Sequence, residues 1–273
     1  MKPYSPFRYF FLTIYYKLRI LVDCTEGRGR LLYSEFLHYI DAIGHVWWEM
    51  PEYTKIRAIT TIWGKFYFFG DLYSYLIMNP SFERPDMEYF VHRLRHFLKR
   101  GERILFLDIG ANVGLYTVGL PTRVGKGKLT THAFEPEPKY FSLLKKNIAG
   151  NNIQNIHLHH LALGDKNKTI ESKEFLWPGH AIPKKKVIFD IRRLDDVMDR
   201  EYVSRFDRVF IKIDIEGHEE EALRGASKFF RIKTPMLIMI EDCVRPSVQE
   251  FMQSNGFSFV GRMTPYNSFW ELH

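Results

Sequence analysis

Ile104-Leu105-Phe106-Leu107-Asp108-Ile109-Gly110-Ala111-Asn112-Val113-Gly114 is the stretch on which the reading of this chain turns. An apolar run, then an acid, then glycines is the pattern of a buried parallel strand feeding a ligand-binding turn. Gly110 and Gly114 are placed either to take a positive φ or to let a ligand approach the backbone. A helix expected from Val113 to about Leu120 would then offer free N–H groups at its start.

A nicotinamide-type fingerprint requires Gly-x-Gly-x-x-Gly. Here Asn112 and Leu115 stand where its second and third glycines would be, which argues against a pyrophosphate lying on the turn. Asp108, two residues before Gly110, suits a ligand with a cationic amino-acid end, such as S-adenosylmethionine. Roughly twenty residues past Gly114 a second strand ends in Glu135, where a carboxylate can accept both hydroxyls of a ribose. Singly these are ordinary surface residues. In this register Asp108, Gly110, Asn112, Gly114 and Glu135 define a candidate ligand site.

Working outward, strands are expected over 104–109, 128–134, 156–161, 208–213 and 236–240, with closing strands near 257–261 and 268–271. Between them lie helices over 138–149, with Gly150 as a stop, 195–203, 217–230 and 246–254. An amphipathic helix over 86–100, capped by Gly101, precedes them. Such alternation implies a parallel, doubly wound sheet whose ligands bind at the strand C-termini. That edge should present Asp108, Glu135, Ala162, Asp214 and Glu241. Residues 164–190, with Lys184-Lys185-Lys186 inside, read as an insertion or β-extension.

With 273 residues there is room for one sizeable domain and an extension, which we place at 81–273 and 1–80. Up to about residue 60 the extension reads as helical and aromatic-rich, suited to a lid, an acceptor-binding surface or an oligomer interface; 62–69 reads as a strand. The apolar run 9–16 is too short to span a bilayer, so contact with a membrane surface is the most it implies. A net charge of +7 permits phosphate, nucleic-acid or membrane partners without selecting among them. Cys24 and Cys243 suggest no disulfide framework, so a reducing cytoplasm is the expectation.

A second distinctive stretch is Ile211-Lys212-Ile213-Asp214-Ile215-Glu216-Gly217-His218-Glu219. Lys212 among apolar neighbours suggests a strand with one less buried face. Glu219, Glu220 and Glu221 favour a helix dipole. His218 could take a proton from a substrate hydroxyl. His157, His159 and His160 alternate along a strand and do not suggest a shared metal, while Asp195 and Asp196 read as a helix cap.

The segments 107–117, 133–136, 161–165, 194–196 and 211–219 together resemble the FkbM family of S-adenosylmethionine-dependent methyltransferases, over about residues 80–242. Phe82-Glu83 resembles an aromatic–Glu step that precedes the family's first motif. The resemblance implies the α/β class I methyltransferase fold: a Rossmann-like, doubly wound, mostly parallel seven-stranded sheet with an antiparallel last strand. It implies donor binding by Asp108, Gly110, Asn112, Gly114 and Glu135, with Thr117 and Pro136 in the same motifs, Ala162 near the adenine, and Asp214 beside the donor. S-adenosylhomocysteine would be the product.

Family members are generally O-methyltransferases, many acting on sugar or polyketide hydroxyls. A small-molecule or glycan acceptor, not nucleic acid, is therefore expected, and a homodimer is left open. A sugar hydroxyl is a weak acid, so a base or a metal is expected. His218 and Asp214 are the candidate bases. Asp214, Glu241 and Asp242 could converge on Mg²⁺, a spacing similar to the metal triad of catechol-type O-methyltransferases. The competing readings are a nucleic-acid methyltransferase and a non-catalytic binding protein on the same fold.

Overall fold

The computed structural model describes residues 56–69, 83–172, 187–215, 217–242 and 245–273. The expectations for residues 1–55, Phe82, Lys184–Lys186, Glu216 and both cysteines lie outside the described residues. In chain order the elements are β1 (Ile56–Thr61), β2 (Gly64–Phe69), α1 (Arg84–Lys99), β3 (Ile104–Ile109), α2 (Leu115–Val124), β4 (Leu129–Phe134), α3 (Pro138–Asn151) and β5 (Ile156–His159). They continue with β6 (Ala162–Leu163), β7 (Lys168–Ser172), β8 (Val187–Arg192), α4 (Leu194–Val197), α5 (Arg200–Val203) and β9 (Arg208–Ile213). The last are α6 (Glu219–Arg224), a 3-10 turn (Phe229–Arg231), β10 (Met236–Glu241), α7 (Pro246–Ser254), β11 (Ser258–Arg262) and β12 (Asn267–Leu272).

Seven strands form one sheet in the order β11-β12-β10-β9-β3-β4-β5. The pairs β10–β9, β9–β3, β3–β4 and β4–β5 are parallel, while β12 runs antiparallel to both of its neighbours. β3 is central and all six of its residues are buried, which is why it reads as an unbroken apolar run. The two-residue period of a strand sends Phe106 and Phe210 to one face and Leu107 and Ile211 to the other. The first face is closed by α1, α2 and the β1–β2 hairpin, the second by α6, α7 and the 3-10 turn.

Several boundaries differ from the sequence reading, each for a local reason. Residues 56–61 are a strand, not helix, and Ile62 and Trp63 are the turn of a hairpin. α3 runs past Gly150 to Asn151 and stops at Asn152, whose φ of 55° is left-handed. A Cβ on Gly150 would meet the Tyr67 ring at 3.1 Å, so this glycine serves packing against the hairpin. The main-sheet strand that starts at Ile156 ends at His159, and the chain then leaves for a separate small sheet in which β8 lies between β6 and β7. The expected β-extension is this small sheet. The helix expected over 195–203 is two single turns, and that over 217–230 shortens to α6 plus the 3-10 turn.

Candidate functional site

Asp108, the penultimate residue of β3, is fully buried. Its Oδ2 accepts hydrogen bonds from the Thr117 N–H at 2.9 Å and the Thr117 hydroxyl at 2.6 Å. Asp108 is thereby tied to the first turn of α2. Its Oδ1 is buried and has no hydrogen-bond partner among the described residues. The turn that follows is held from the neighbouring strand, since the Gly110 and Ala111 N–H groups donate to the Phe134 carbonyl at 3.0 and 2.9 Å.

Gly110 has φ 79°, and a Cβ there would stand 1.9 Å from the Asp214 carbonyl oxygen. Gly114 has φ 92°, and a Cβ there would meet Leu144 Cδ1 at 2.6 Å. Both glycines are thus required by the turn's own conformation and packing. Asn112 takes φ 51°, and its side chain accepts from the Val113 N–H at 2.7 Å.

Glu135, just beyond β4, is 6 % exposed. Its Oε2 accepts from the Asn112 N–H and its Oε1 from the Glu137 N–H, both at 2.8 Å. It joins the two loops of the site, and each oxygen keeps a second lone pair for a ligand hydroxyl. Burial pushes this carboxyl up to about 7, against the two N–H bonds that favour its charge. Pro136 is buried beside it.

Lys212 is the residue whose role the sequence concealed. It is 3 % exposed in β9, between Ile211 and Ile213, and does not face a less buried side. Its ammonium donates to the Gly110 carbonyl at 2.6 Å and lies 3.1 Å from Asp214 and 3.7 Å from Asp108. Burial alone would discharge it, but Asp214, Asp108 and Glu83 outweigh that and raise its pKa. A lysine flanked by two isoleucines near the end of an otherwise apolar strand was the available signal. A buried ammonium there requires carboxylates at the same depth.

The remaining predicted residues separate. Asp214 is half-buried at the end of β9 and joins Asp108 through Lys212. Ala162 lies in β6, paired with Ile191 of the small sheet, and not on the main-sheet rim. His218 is exposed at the start of α6, and its side chain makes no capping bond there. Glu219 is fully buried, with Oε1 accepting from the Ile215 and Gly217 N–H groups and Oε2 2.8 Å from Arg245. It organises the loop after β9, which a helix-dipole role alone would not require.

The expected Mg²⁺ triad does not assemble. Asp242 is fully buried, with Oδ1 2.7 Å from Arg262 and Oδ2 accepting from the Ser268 hydroxyl at 2.8 Å. Asp214 is bound to Lys212, and among the described residues no group of three His, Cys, Asp or Glu could hold a metal ion. A guanidinium and an ammonium already neutralise two of the three carboxylates. Asp195, too, differs from its expected role. Its Oδ1 accepts from the Lys228 and Phe229 N–H groups at 2.9 Å, so it caps the 3-10 turn and not its own helix.

At the same rim the start of α1 contributes two buried acids. Asp86 Oδ2 accepts from the Thr264 hydroxyl at 2.8 Å and from Asn267 Nδ2 at 3.0 Å. Glu83 lies within electrostatic reach of Asp214, Asp86 and Lys212.

A parallel sheet with one antiparallel strand near its edge, its acid–glycine turn at the C-terminus of the central strand and a carboxylate at the next strand tip, defines the class I methyltransferase fold. Residues 108–262 match the family described as the methyltransferase FkbM domain. The chain belongs to the FkbM methyltransferase family.

Among curated proteins it is similar to "Methyltransferase 1" of Beauveria bassiana (strain ARSEF 2860), 27 % identical over 148 residues. That alignment covers 44 % of this chain and 57 % of the fungal protein. Among solved structures it is similar to methyltransferase FkbM from Methylobacillus flagellatus KT, with 21 % identity and a TM-score of 0.43 over 63 % of this chain and 43 % of that one. Precorrin-6y C5,15-methyltransferase from Geobacter metallireducens GS-15 is similar at 16 % identity and a TM-score of 0.41, over 71 % and 88 % of the two chains. The chain therefore spans little more than half of the curated relative and less than half of the first structure.

Proposed function

We propose that this protein is an S-adenosylmethionine-dependent O-methyltransferase whose acceptor is a hydroxyl of a neutral, polyol-like molecule, such as a sugar in a glycan or a secondary metabolite. The observation that carries the donor reading is the buried Oδ1 of Asp108, without a hydrogen-bond partner among the described residues, in a cluster with Lys212 and Asp214 at the C-terminal ends of β3 and β9. A donor with a cationic amino-acid end fits such an acceptor atom. Bound there, S-adenosylmethionine supplies an electrophilic methyl group on a positively charged sulfur.

The chain's own part is binding, alignment and proton removal. Asp108, held by Thr117, takes the cationic end. Gly110, Asn112 and Gly114 shape the turn, and Glu135 and Pro136 form the ribose side. Lys212 fixes the turn through the Gly110 carbonyl and keeps Asp214 in place. Asp214 or His218 receives the proton of the acceptor hydroxyl.

The acidity of the rim supports a neutral acceptor. Asp86 and Glu241 both act on the Tyr266 hydroxyl, so a polyanion would meet like charge there. Among the described residues no helix is long and apolar enough to cross a membrane.

The test follows the labelled methyl group from S-adenosylmethionine to a panel of glycans, small alcohols and RNA. Transfer to a hydroxyl of an uncharged acceptor is the expected result. Transfer to RNA alone overturns the acceptor reading, and failure to bind S-adenosylmethionine in calorimetry overturns the donor reading.

A further inference from the structure

We propose that the outer face of the β1–β2 hairpin, with the flank of α3 beside it, is a docking surface for an anionic lipid bilayer. The inference is independent of the donor reading and concerns residues that none of the donor motifs includes.

The first observation is charge. β1, β2 and α3 contain Arg57, Lys65, Lys139, Lys145 and Lys146 and no Asp or Glu, in a chain with 39 basic and 32 acidic residues. Lys65, Lys145 and Lys146 are exposed. The acid next to α3, Glu137, is engaged as its cap and accepts from the Lys139 N–H at 3.1 Å. A surface of one sign over three elements attracts a surface of the other sign.

The second observation is the apolar content of the same face. Opposed residues of a hairpin project to one side. The register of Ile56 with Phe69, Ala58 with Tyr67 and Thr60 with Lys65 therefore puts these six on one face, while Phe66 and Phe68 are buried in the core on the other. On the outer face Ile56 is 48 % exposed, and Tyr67 and Phe69 are half-buried. Ile62, in the hairpin turn, is 46 % exposed. Asn147 and Asn151 bind α3 along the edge of β2, which brings its lysines to this side.

The third observation is how the lysines are held. Lys146 Nζ lies 4.2 Å and Lys65 Nζ 5.1 Å from the centre of the Tyr67 ring, and Lys139 Nζ 3.9 Å from that of Phe69. Ammonium groups interleaved with apolar side chains suit the boundary of a bilayer: the apolar groups enter the headgroup region and the cations meet lipid phosphates. A single-stranded nucleic acid needs open ring faces on which its bases stack. Here lysines stand over those faces, and exposed isoleucines offer nothing to a phosphate backbone.

The test is co-sedimentation of the full-length protein with vesicles of phosphatidylcholine alone or mixed with phosphatidylserine. Binding to the mixed vesicles only, lost in high salt, is expected. Joint replacement Lys65→Gln, Lys145→Gln and Lys146→Gln should weaken that binding about a hundredfold, at about fivefold for each lysine. A variant of equal net charge, Lys166→Gln, Lys168→Gln and Lys228→Gln, loses exposed lysines from elsewhere and should stay within about fivefold of the native protein. On the native protein, mixed vesicles should shield Lys65, Lys145 and Lys146 from amine acetylation and leave Lys166, Lys168 and Lys228 reactive. No binding, equal binding to both vesicle types, equal losses in the two variants, or acetylation of Lys65 and Lys146 undiminished by vesicles overturns the proposal. Preference for single-stranded RNA over the mixed vesicles, lost in the first variant, also overturns it and assigns the face to nucleic acid.

Discussion

Lys212 carries a buried charge that only its neighbours make tolerable. It satisfies the Gly110 carbonyl and sits between Asp108 and Asp214, so removing its ammonium strands two carboxylates at once. Lys212→Met should lower the unfolding free energy by about 3–5 kcal/mol. The check is a shift of the denaturant midpoint at unchanged slope. Glu135 and His218 belong to the same scale but to different steps. Glu135→Ala removes the acceptor for the Asn112 and Glu137 N–H groups and should weaken donor binding in calorimetry. His218 is exposed and uncommitted to any cap. His218→Ala should leave donor affinity unchanged and slow turnover by about 10²-fold or more; unchanged turnover would leave Asp214 as the remaining base.

At the scale of elements, the β1–β2 hairpin is attached to the methyltransferase body by two asparagines one helical turn apart. Asn147 accepts from the Tyr67 N–H at 2.6 Å and donates to the Tyr67 carbonyl at 3.0 Å; Asn151 does the same for Lys65 at 2.8 and 2.6 Å. Each amide stands in for a backbone peptide, so α3 pairs with β2 as a neighbouring strand would. Asn147 also donates to the Val113 carbonyl at 2.7 Å, which carries the connection into the donor turn.

Asn147→Ala should therefore expose amides of residues 64–69 to faster hydrogen exchange and loosen the turn, at a cost of about 1–3 kcal/mol. Retained protection would show that the aromatic contacts of Trp63, Phe66 and Phe68 suffice. Gly110→Ala should be worse tolerated than Gly114→Ala. The first drives a Cβ into a carbonyl oxygen, whereas the second meets the end of the flexible Leu144 side chain. Soluble yield and the denaturant midpoint of the two variants compare them directly.

For the whole molecule, the pH response is set by groups that no single motif contains. His132 of β4 stacks on His157, and its ring nitrogens lie 2.9 Å from His159 and 3.0 Å from Tyr202. Burial, then His157 and His159, pull its pKa down to about 3. The unfolded chain takes that proton near the ordinary histidine value of about 6.5. Between those limits the unfolded state binds more protons, so stability falls as pH drops below about 6.5. The raised carboxyls act in the opposite sense. Asp86 at about 6, Glu135 at about 7 and Glu83 at about 8 stabilise the fold in acid and lose that contribution as pH rises through these values. His132→Gln should flatten the acid side of a melting-temperature profile and leave the alkaline side unchanged. An unchanged acid side would place the loss elsewhere.

The strand positions and the order of the site motifs were legible in the chain because each depends on local pattern. An unbroken apolar run must be a central strand, and an acid–glycine turn must follow it. The partners of Lys212, the ion pair of Asp242 with Arg262 and the histidine stack were not legible. Apart from Lys212 with Asp214, they join residues between 20 and 104 positions apart, and nothing local fixes which charge meets which. The sequence alone determined a doubly wound sheet with a nucleoside-type turn on its central strand, since hydrophobic period and turn chemistry are properties of neighbours along the chain. Only the tertiary structure decided which carboxylates face a ligand and which are spent on a cation or a loop. Burial and charge pairing are properties of neighbours in space, and these the folded sheet alone brings together.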